Sequence, residues 1–182
     1  MTEKLADRET MLVELVDDSG TAIGASSVAD AHRPPGTLHR AFSVLLFDRR
    51  GHVLLQQRAA VKTRFPLQWA NTCCGHPTPG QPATEAAGIR LGEEFGMTAE
   101  LTEVDAFTYR AGDETTGRVE YEYDHVLIGE VGDLPPRPDP AEIACWAWIS
   151  PTTLRADMTE NPAKYTPWLA EVLAIATAAH RP

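Results

Sequence analysis

One short segment, Trp69 to Pro77, carries a thiol, an imidazole and turn-forming residues in close succession. Cys74 and His76 are separated only by Gly75, so a fixed loop could aim both side chains into one pocket. A thiol held in this way can act as a nucleophile, a metal ligand or an acid–base group. A buried structural cysteine beside a turn histidine is an equally open interpretation, because free cysteines are usually found in protein cores.

Three histidines and two glutamates could form a metal site if the fold brings them together. Glu120 and Glu122 alternate along a predicted strand, so their carboxylates project from the same face. The histidines are His32, His39 and His76. Imidazole nitrogens and carboxylate oxygens can together bind one divalent ion, whether Zn²⁺, Mn²⁺ or Mg²⁺. The alternative is a charged solvent face, since Asp124 continues the same alternation.

A second candidate cation site lies on a predicted helix, where Arg90 and Glu94 have the i, i+4 spacing of helical neighbours. The two can form an ordinary surface ion pair. Alternatively, Glu94 binds a Mg²⁺ that bridges a diphosphate, while Arg90 contacts the phosphate oxygens. Arg58, Lys62 and Arg64 form a basic cluster that, in an acidic chain, favours a phosphate-facing role over plain surface charge.

The elements that must position these residues follow from the hydrophobic pattern. Strands are predicted at Leu12–Val16, Thr21–Ala25, Phe42–Phe47, His52–Gln57, Val104–Arg110, Val119–Val131 and Ile143–Ile149. One helix is predicted from Pro82, at its first position, to Phe95, with Gly96 at its exit. A second helix is predicted to open at Thr166-Pro167. Loops are predicted at Ala31–His39 and Leu134–Pro140. This order favours an α/β (α+β) class, with a mixed β-sheet core flanked by helices.

Size and charge limit the possible functions. The 182 residues fit a single domain spanning residues 1–182. The net charge of −10 argues against nucleic acid as a partner, although a local basic pocket can still bind a small phosphorylated substrate. The charged start does not resemble a signal peptide, and no apolar run approaches the length of about 18 residues that a membrane span needs. Three cysteines, an odd count, favour a reducing cytoplasm. The oligomeric state does not follow from the sequence.

The stretch from Gly75 to Met97 resembles a degenerate Nudix box, whose pattern is Gly-x5-Glu-x7-Arg-Glu-apolar-x-Glu-Glu-x-Gly. The residues that match it are Gly75, Leu91, Glu93, Glu94 and Gly96. Gln81 replaces the first glutamate of the pattern, and Ile89-Arg90 replaces its Arg-Glu pair. A Nudix pyrophosphohydrolase uses several carboxylates to hold the metals that activate water. These replacements therefore argue against hydrolysis.

The same departures resemble the type 1 isopentenyl-diphosphate isomerases, a family within the Nudix superfamily. The resemblance runs from about Leu12 to Trp168. It rests on His32 and His39, Asn71-x-x-Cys74-Gly75-His76-Pro77, Tyr109-Arg110, Glu120-x-Glu122 and Thr166-Pro167-Trp168. One position departs from the family pattern, since Val28 stands where a lysine is expected.

The resemblance implies a Nudix-like fold and an isomerase of isoprenoid biosynthesis. Such an enzyme interconverts isopentenyl and dimethylallyl diphosphate by protonation and deprotonation through a carbocation-like state. The implied catalytic residues are Cys74, Glu122, Tyr109 and Trp168. The implied ligands of one divalent metal, Mn²⁺, Zn²⁺ or Mg²⁺, are His32, His39, His76, Glu120 and Glu122. Glu94 is implied to bind Mg²⁺ together with the diphosphate, and the implied substrate-binding residues are Arg58, Lys62 and Arg90. The sequence leaves open whether Cys74 or Glu122 gives the proton.

Two other functions remain open at this point. A Nudix pyrophosphohydrolase acting on a nucleoside diphosphate derivative would release phosphate or a nucleotide. A non-catalytic module would use the cysteine and histidine cluster to hold structural zinc.

Overall fold

The structure is a computed structural model that describes residues 8–132 and 135–180. Its strands are β1 (Leu12–Val16), β2 (Ala22–Ser27), β3 (His39–Phe47), β4 (Val53–Arg58), β5 (Trp69–Ala70), β6 (Cys73–Gly75), β7 (Thr102–Gly112), β8 (Val119–Glu130) and β9 (Ile143–Ile149). Its helices are α1 (Val28–Ala31), α2 (Ala83–Phe95), α3 (Pro151–Glu160), a 3₁₀-helix (Pro162–Lys164) and α4 (Leu169–Ala179). The strands form one mixed sheet, which confirms the predicted fold class.

Strand β3 is the centre of the sheet and joins the segments that carry the candidate site. It pairs in parallel with β8, from His39 opposite Glu122 onward. It also pairs antiparallel with β6, where Ser43 lies opposite Cys74. A strand with neighbours on both sides and both faces covered needs a nearly continuous apolar sequence. The buried run that ends β3 at Phe47 has that character.

Helices cover both faces of the sheet because successive β3 side chains point in opposite directions. On one face, Leu91 and Phe95 of α2 pack with Phe42, Val44 and other buried residues. On the opposite face, Leu45 and Phe47 contact a core that includes Leu169, Val172, Leu173 and Ala176 of α4. The site is therefore built on strands held from both sides.

Most predicted elements are present, with shifts at their ends. The predicted strands Leu12–Val16 and Ile143–Ile149 agree with the structure at both ends. Helix α2 begins at Ala83, so Pro82 is its N-cap and not its first helical residue; Gly96 ends it with φ +61°, as its predicted exit. The helix predicted to open at Thr166-Pro167 begins at Leu169. The predicted loop Leu134–Pro140 lies partly outside the described residues.

The short elements α1, β5 and the 3₁₀-helix were not predicted, and two further features also differ from the prediction. The cysteine segment contains strand β6, because its backbone completes the sheet beside β3. Helix α3 was missed, although its start carries two sequence signals: Ser150 accepts a hydrogen bond from the backbone of Thr153 at 3.1 Å, and Pro151 follows at the first helical position.

Candidate active site and metal centre

Five side chains that could bind a metal converge from four parts of the fold. His39 opens β3 and lies opposite Glu122 of β8, and Glu120 occupies the same face of β8. His32 follows α1, and its carbonyl accepts a backbone hydrogen bond from the first residue of β8 at 3.0 Å. His76 follows β6. Sheet pairing thus joins residues that lie far apart in the sequence.

The ligand atoms of these five residues all lie within 4.8 Å of one another. Nε2 of His32 is 2.7 Å from Glu120 Oε2, and Nε2 of His76 is 2.8 Å from Glu122 Oε1. Nε2 of His39 is 3.6 Å from the same Glu122 oxygen. Three imidazoles therefore face two carboxylates around one centre.

The other ring nitrogen of two histidines is fixed by a backbone carbonyl. Nδ1 of His32 is 2.7 Å from the Val28 oxygen, and Nδ1 of His39 is 2.7 Å from the Thr37 oxygen. A carbonyl at Nδ1 holds the proton there and leaves the Nε2 lone pair available for a ligand bond. Nε2 of His39 is buried and has no hydrogen-bond partner among the described residues. This donor set therefore fits a divalent metal ion.

Electrostatics hold Glu122 and His76 in ligand-competent forms, whereas His32 must release a proton to bind a metal. Burial would lower the pKa of His32, but the Glu120 carboxylate outweighs it and raises that pKa to about 9. Burial would raise the pKa of Glu122, but the surrounding imidazoles of His32, His39 and His76 outweigh it and hold that pKa well below its usual range. Burial lowers the pKa of His76 to about 4. Glu122 is thus an ionised carboxylate and His76 a neutral imidazole, the forms that bind metals.

A cavity of about 120 Å³ opens beside this group, and three residues with proton-transfer chemistry line it. Cys74 is half-buried there, and burial raises the pKa of its thiol to about 12, so the thiol keeps its proton at neutral pH. The hydroxyl of Tyr109 donates to Glu122 Oε2 at 2.6 Å. Burial and the nearby Glu122 charge raise the pKa of Tyr109 well above its usual value, so it remains a donor.

An aromatic wall completes the cavity. The Trp168 ring is buried, its centroid lies 5.7 Å from that of Tyr109, and its Nε1 donates to Asn71 Oδ1 at 2.9 Å. Nδ2 of Asn71 donates to the carbonyl of Cys73 at 2.9 Å. Asn71 therefore couples the indole position to the cysteine strand.

Arg58 lines the cavity but uses most of its donors on the protein itself. Its Nε donates to the carbonyl of Phe65 at 3.1 Å, and its Nη2 to that of Arg64 at 2.8 Å. Nη1 lies 3.7 Å from Cys74 Sγ, and the guanidinium carbon is 5.9 Å from the Trp168 ring centroid. The structure thus joins this predicted substrate-binding residue to the predicted catalytic residues.

Lys62, Arg90 and Glu94 form a second charged cluster, separate from the histidine group. Glu94 is buried and accepts hydrogen bonds from Arg90 and from Nε2 of Gln56, the latter at 2.9 Å. Its Oε1 is 3.9 Å from Nζ of Lys62. Oε2 of Glu142 accepts a hydrogen bond from Nζ of Lys62 and lies 3.4 Å from Nη2 of Arg90.

Two charged residues at this cluster were not predicted. Glu142 contributes a carboxylate from the position just before the apolar strand β9. Arg8 also lines the cavity, although its sequence surroundings are merely charged and polar. Glu142 and Arg8 belong to the site because they form ion pairs with residues distant in the sequence. No local sequence pattern predicts such pairs.

Comparison with known proteins identifies a domain family. A family model described as the NUDIX domain matches residues 37–169. Among solved structures, DR0079 from Deinococcus radiodurans superposes with a TM-score of 0.73 at 19% identity, covering 90% of this chain and 97% of that one. An Ap4A hydrolase from C. elegans superposes with a TM-score of 0.55 at 18% identity, covering 76% and 95%. At these identities the structures establish the fold alone.

Sequence relatives are more specific. An isopentenyl-diphosphate Delta-isomerase from Nocardia farcinica is 66% identical over 171 residues, which cover 94% of this chain and 97% of the relative. One from Halorhodospira halophila is 49% identical over 161 residues, covering 88% and 92%.

The mixed sheet, its flanking helices and the domain match define a NUDIX-domain protein. At two positions where this chain departs from the box, Gln81 donates a hydrogen bond to Glu85 at 3.2 Å and Ile89 is exposed. Because two relatives of that name are 66% and 49% identical over most of the chain, the chain belongs to the isopentenyl-diphosphate Delta-isomerase family. This confirms the family resemblance predicted from the sequence.

Proposed function

We propose that this chain interconverts isopentenyl diphosphate and dimethylallyl diphosphate, and that the whole of residues 1–182 serves this one activity as a single domain. The observation that carries the proposal is the cavity itself. It brings the Cys74 thiol and the Tyr109–Glu122 pair together with the His/Glu group and a cluster of partly or fully buried cations. Each part supplies something that moving a double bond in a charged C5 substrate requires.

The reaction needs one proton added and one removed. Protonation of the terminal alkene carbon makes a tertiary cation-like centre, and loss of a proton from the neighbouring methylene forms the new double bond. Cys74 and Glu122 are the two acid–base groups in this proposal, and Tyr109 orients Glu122 through its hydrogen bond. The net composition of the substrate is unchanged.

The cation-like centre must be stabilised and kept from water. The face of the buried Trp168 ring can stabilise it by an interaction of about 2 kcal/mol or more in a desolvated site. Trp168 and Tyr109 line the cavity, and a substrate packed against their rings would displace the water that could otherwise capture the cation.

The charged end of the substrate requires its own anchor. In this proposal Arg58, Lys62 and Arg90 hold the diphosphate, with Mg²⁺ on Glu94. The histidines His32, His39 and His76 with Glu120 and Glu122 hold one further divalent ion, Mn²⁺, Zn²⁺ or Mg²⁺, which fixes and tunes the Glu122 carboxylate. Anchoring the diphosphate away from the alkene aligns the reacting carbons with the acid–base pair.

The same proposal places the protein in the cytoplasm with a small-molecule diphosphate as its partner. Cys73, Cys74 and Cys145 are free thiols, as a reducing compartment would keep them. The net charge of −10 disfavours nucleic acid. Within residues 8–132 and 135–180, the helices are too short or too polar to span a bilayer.

Proton exchange is the direct test of the proposed reaction. The protein is incubated with isopentenyl diphosphate and Mg²⁺ in deuterated water, and the product is followed by NMR. We expect dimethylallyl diphosphate carrying deuterium, with no phosphate released. Phosphate or pyrophosphate release without isomerised product would instead support the hydrolase alternative and refute the proposal.

Metal content provides a second test, which does not depend on turnover. His39→Asn is expected to lose the histidine-site metal, because it removes the buried Nε2 that has no other partner among the described residues. After dialysis, metal analysis should find about one tightly held ion per wild-type chain and far less in the variant. His52→Asn, at a partly exposed histidine paired with Asp48, is the matched control and should keep the ion. Full occupancy in the His39 variant would contradict the assignment.

The aromatic wall gives a graded prediction. Trp168→Phe keeps a π face but leaves Asn71 Oδ1 without its donor, and it should lower kcat about ten-fold. Trp168→Ala removes the π face as well and should lower kcat by a further factor of about 30, as expected for the loss of about 2 kcal/mol. Trp148→Phe, on the other face of the sheet, is the control. Equal kcat values for the two Trp168 variants would show that the π face does not stabilise the cation-like centre.

A further inference from the structure

The segment from Arg8 to Leu12 lies across the mouth of the cavity. Arg8, Met11 and Leu12 all line it. The backbone of Val28 donates to the Met11 carbonyl at 2.8 Å, and the Met11 N–H donates to the Arg8 carbonyl at 3.2 Å. These bonds place the segment against the start of α1.

Glu9 anchors the segment to one wall of the cavity. Its Oε1 accepts from Nη1 of Arg64 at 2.8 Å and from the Thr63 hydroxyl at 2.9 Å. Arg64 itself is partly buried, and its Nε lies 3.2 Å from Oε1 of Glu120. The anchor therefore connects the segment to the side of the cavity that carries the histidine group.

Arg8, the adjacent residue, faces the opposite wall. Its Nη2 donates to Glu93 Oε2 at 2.9 Å, and its Nε lies 3.5 Å from Glu142 Oε1. The other Glu142 oxygen is bonded to Lys62 and lies 3.4 Å from Arg90. Arg8 thus shares a buried counter-ion with two of the cations proposed to hold the diphosphate.

The ion pairs of Arg8 can be exchanged for a ligand at small cost. The Glu93 side chain is 40% exposed and that of Arg8 24% exposed, so water screens their pair, and such pairs contribute little to stability. A diphosphate carries several negative charges, and a guanidinium binds phosphate oxygens through two parallel hydrogen bonds. The planar head of Arg8 already stands at the rim of the cluster that would receive it.

We propose that Arg8 is a further diphosphate-binding residue, carried to the cavity mouth by its segment and exchanging its Glu93 contact for the phosphate oxygens of the substrate. This inference rests on the proposed function, because it assumes that the cluster around Lys62 and Arg90 receives the diphosphate. Glu9 acts at a distance from the phosphate and only positions the segment.

Arg8→Gln tests the proposal in the full-length, metal-loaded protein. We expect KM for isopentenyl diphosphate and the Kd of inorganic pyrophosphate, measured by calorimetry, both to rise about ten-fold or more, with kcat within about three-fold of wild type. Arg8→Lys should recover part of the affinity, because a lysine keeps the charge but loses the paired geometry. Arg33→Gln, at an exposed arginine paired with Asp30, is the matched control and should leave both constants unchanged.

Glu93→Gln separates ligand binding from a structural role of the pair. It removes the Glu93 charge that pairs with Arg8 and with Arg90 and leaves both cations in place, so pyrophosphate should bind with unchanged or higher affinity. A loss of affinity equal to that of Arg8→Gln would mean that the Arg8–Glu93 pair only holds the segment, and would overturn the proposal. An unchanged pyrophosphate Kd in Arg8→Gln would overturn it too.

The pyrophosphate titration also allows the role of Arg8 and the proposed reaction to be tested separately. A wild-type protein that binds pyrophosphate through Arg8 but forms no isomerised product would refute the reaction and retain Arg8 as a diphosphate ligand. A protein that isomerises its substrate while Arg8→Gln leaves KM unchanged would retain the reaction and refute the role of Arg8.

Discussion

Glu122→Gln is expected to lower kcat by about 10³-fold or more, which is within the range for loss of a positioned acid–base group. The amide keeps the size of the side chain and can still accept the hydroxyl of Tyr109, but it can neither take up nor deliver a proton at the alkene. It also loses the charge that the three imidazoles surround. Steady-state turnover of isopentenyl diphosphate at saturating substrate is the measurement.

Glu120→Gln distinguishes the two roles of Glu122. Glu120 belongs to the same His/Glu group, but its partners are His32 and Arg64 and not Tyr109. Added metal should therefore restore most of the activity of Glu120→Gln and little of that of Glu122→Gln. Glu103→Gln, at a partly exposed carboxylate that pairs with His125, controls for general charge effects. If saturating metal restores both site variants equally, Glu122 is a metal ligand without a role in proton transfer.

Cys74→Ala is expected to reduce kcat by about 10²- to 10⁴-fold while the protein stays folded and keeps its metal. The thiol lies outside the His/Glu group, and strand β6 is held by its backbone pairing at Ser43, which alanine preserves. Truncation of the half-buried thiol should lower the free energy of unfolding by only about 1 kcal/mol. Turnover, metal content and thermal unfolding are measured on the same preparation.

Cys145→Ala is the matched control, because Cys145 is a free and exposed thiol on β9. It should retain wild-type kcat. Full activity in Cys74→Ala would refute the proposed proton-transfer pair. Loss of activity with retained metal would instead exclude the non-catalytic zinc module as the function of the cysteine loop.

The sequence predicts those parts of the fold that depend on local patterns. The short apolar runs of Leu12–Val16 and Ile143–Ile149 give strands at the predicted bounds. The exit of α2 at Gly96 follows from the left-handed conformation that glycine adopts readily. Helix α3 was missed because its residues are mainly polar and only Leu154 is buried, so its apolar periodicity is weak.

The sequence predicts which residues belong to the candidate site but not how the fold brings them together. The choice of His32, His39 and His76 came from their residue types and from the family resemblance. Their convergence depends on the pairing of β3 with β8 and β6, which no local pattern encodes. The hydrogen bonds of Lys62 and Arg90 with Glu142 could not be predicted from the sequence either, because tertiary packing determines which charged side chains meet.

The parallel pairing of β3 with β8 also has a consequence for the order of folding. The pairing begins at His39 opposite Glu122, and the nearby pair His32 and Glu120 is 88 positions apart in the chain. Contacts between such distant segments form late, since a long loop must close before they yield any stabilisation. The His/Glu group is therefore complete only near the end of folding, and an ion held there stabilises the finished native state over its precursors. Metal should accordingly slow unfolding more than it accelerates refolding.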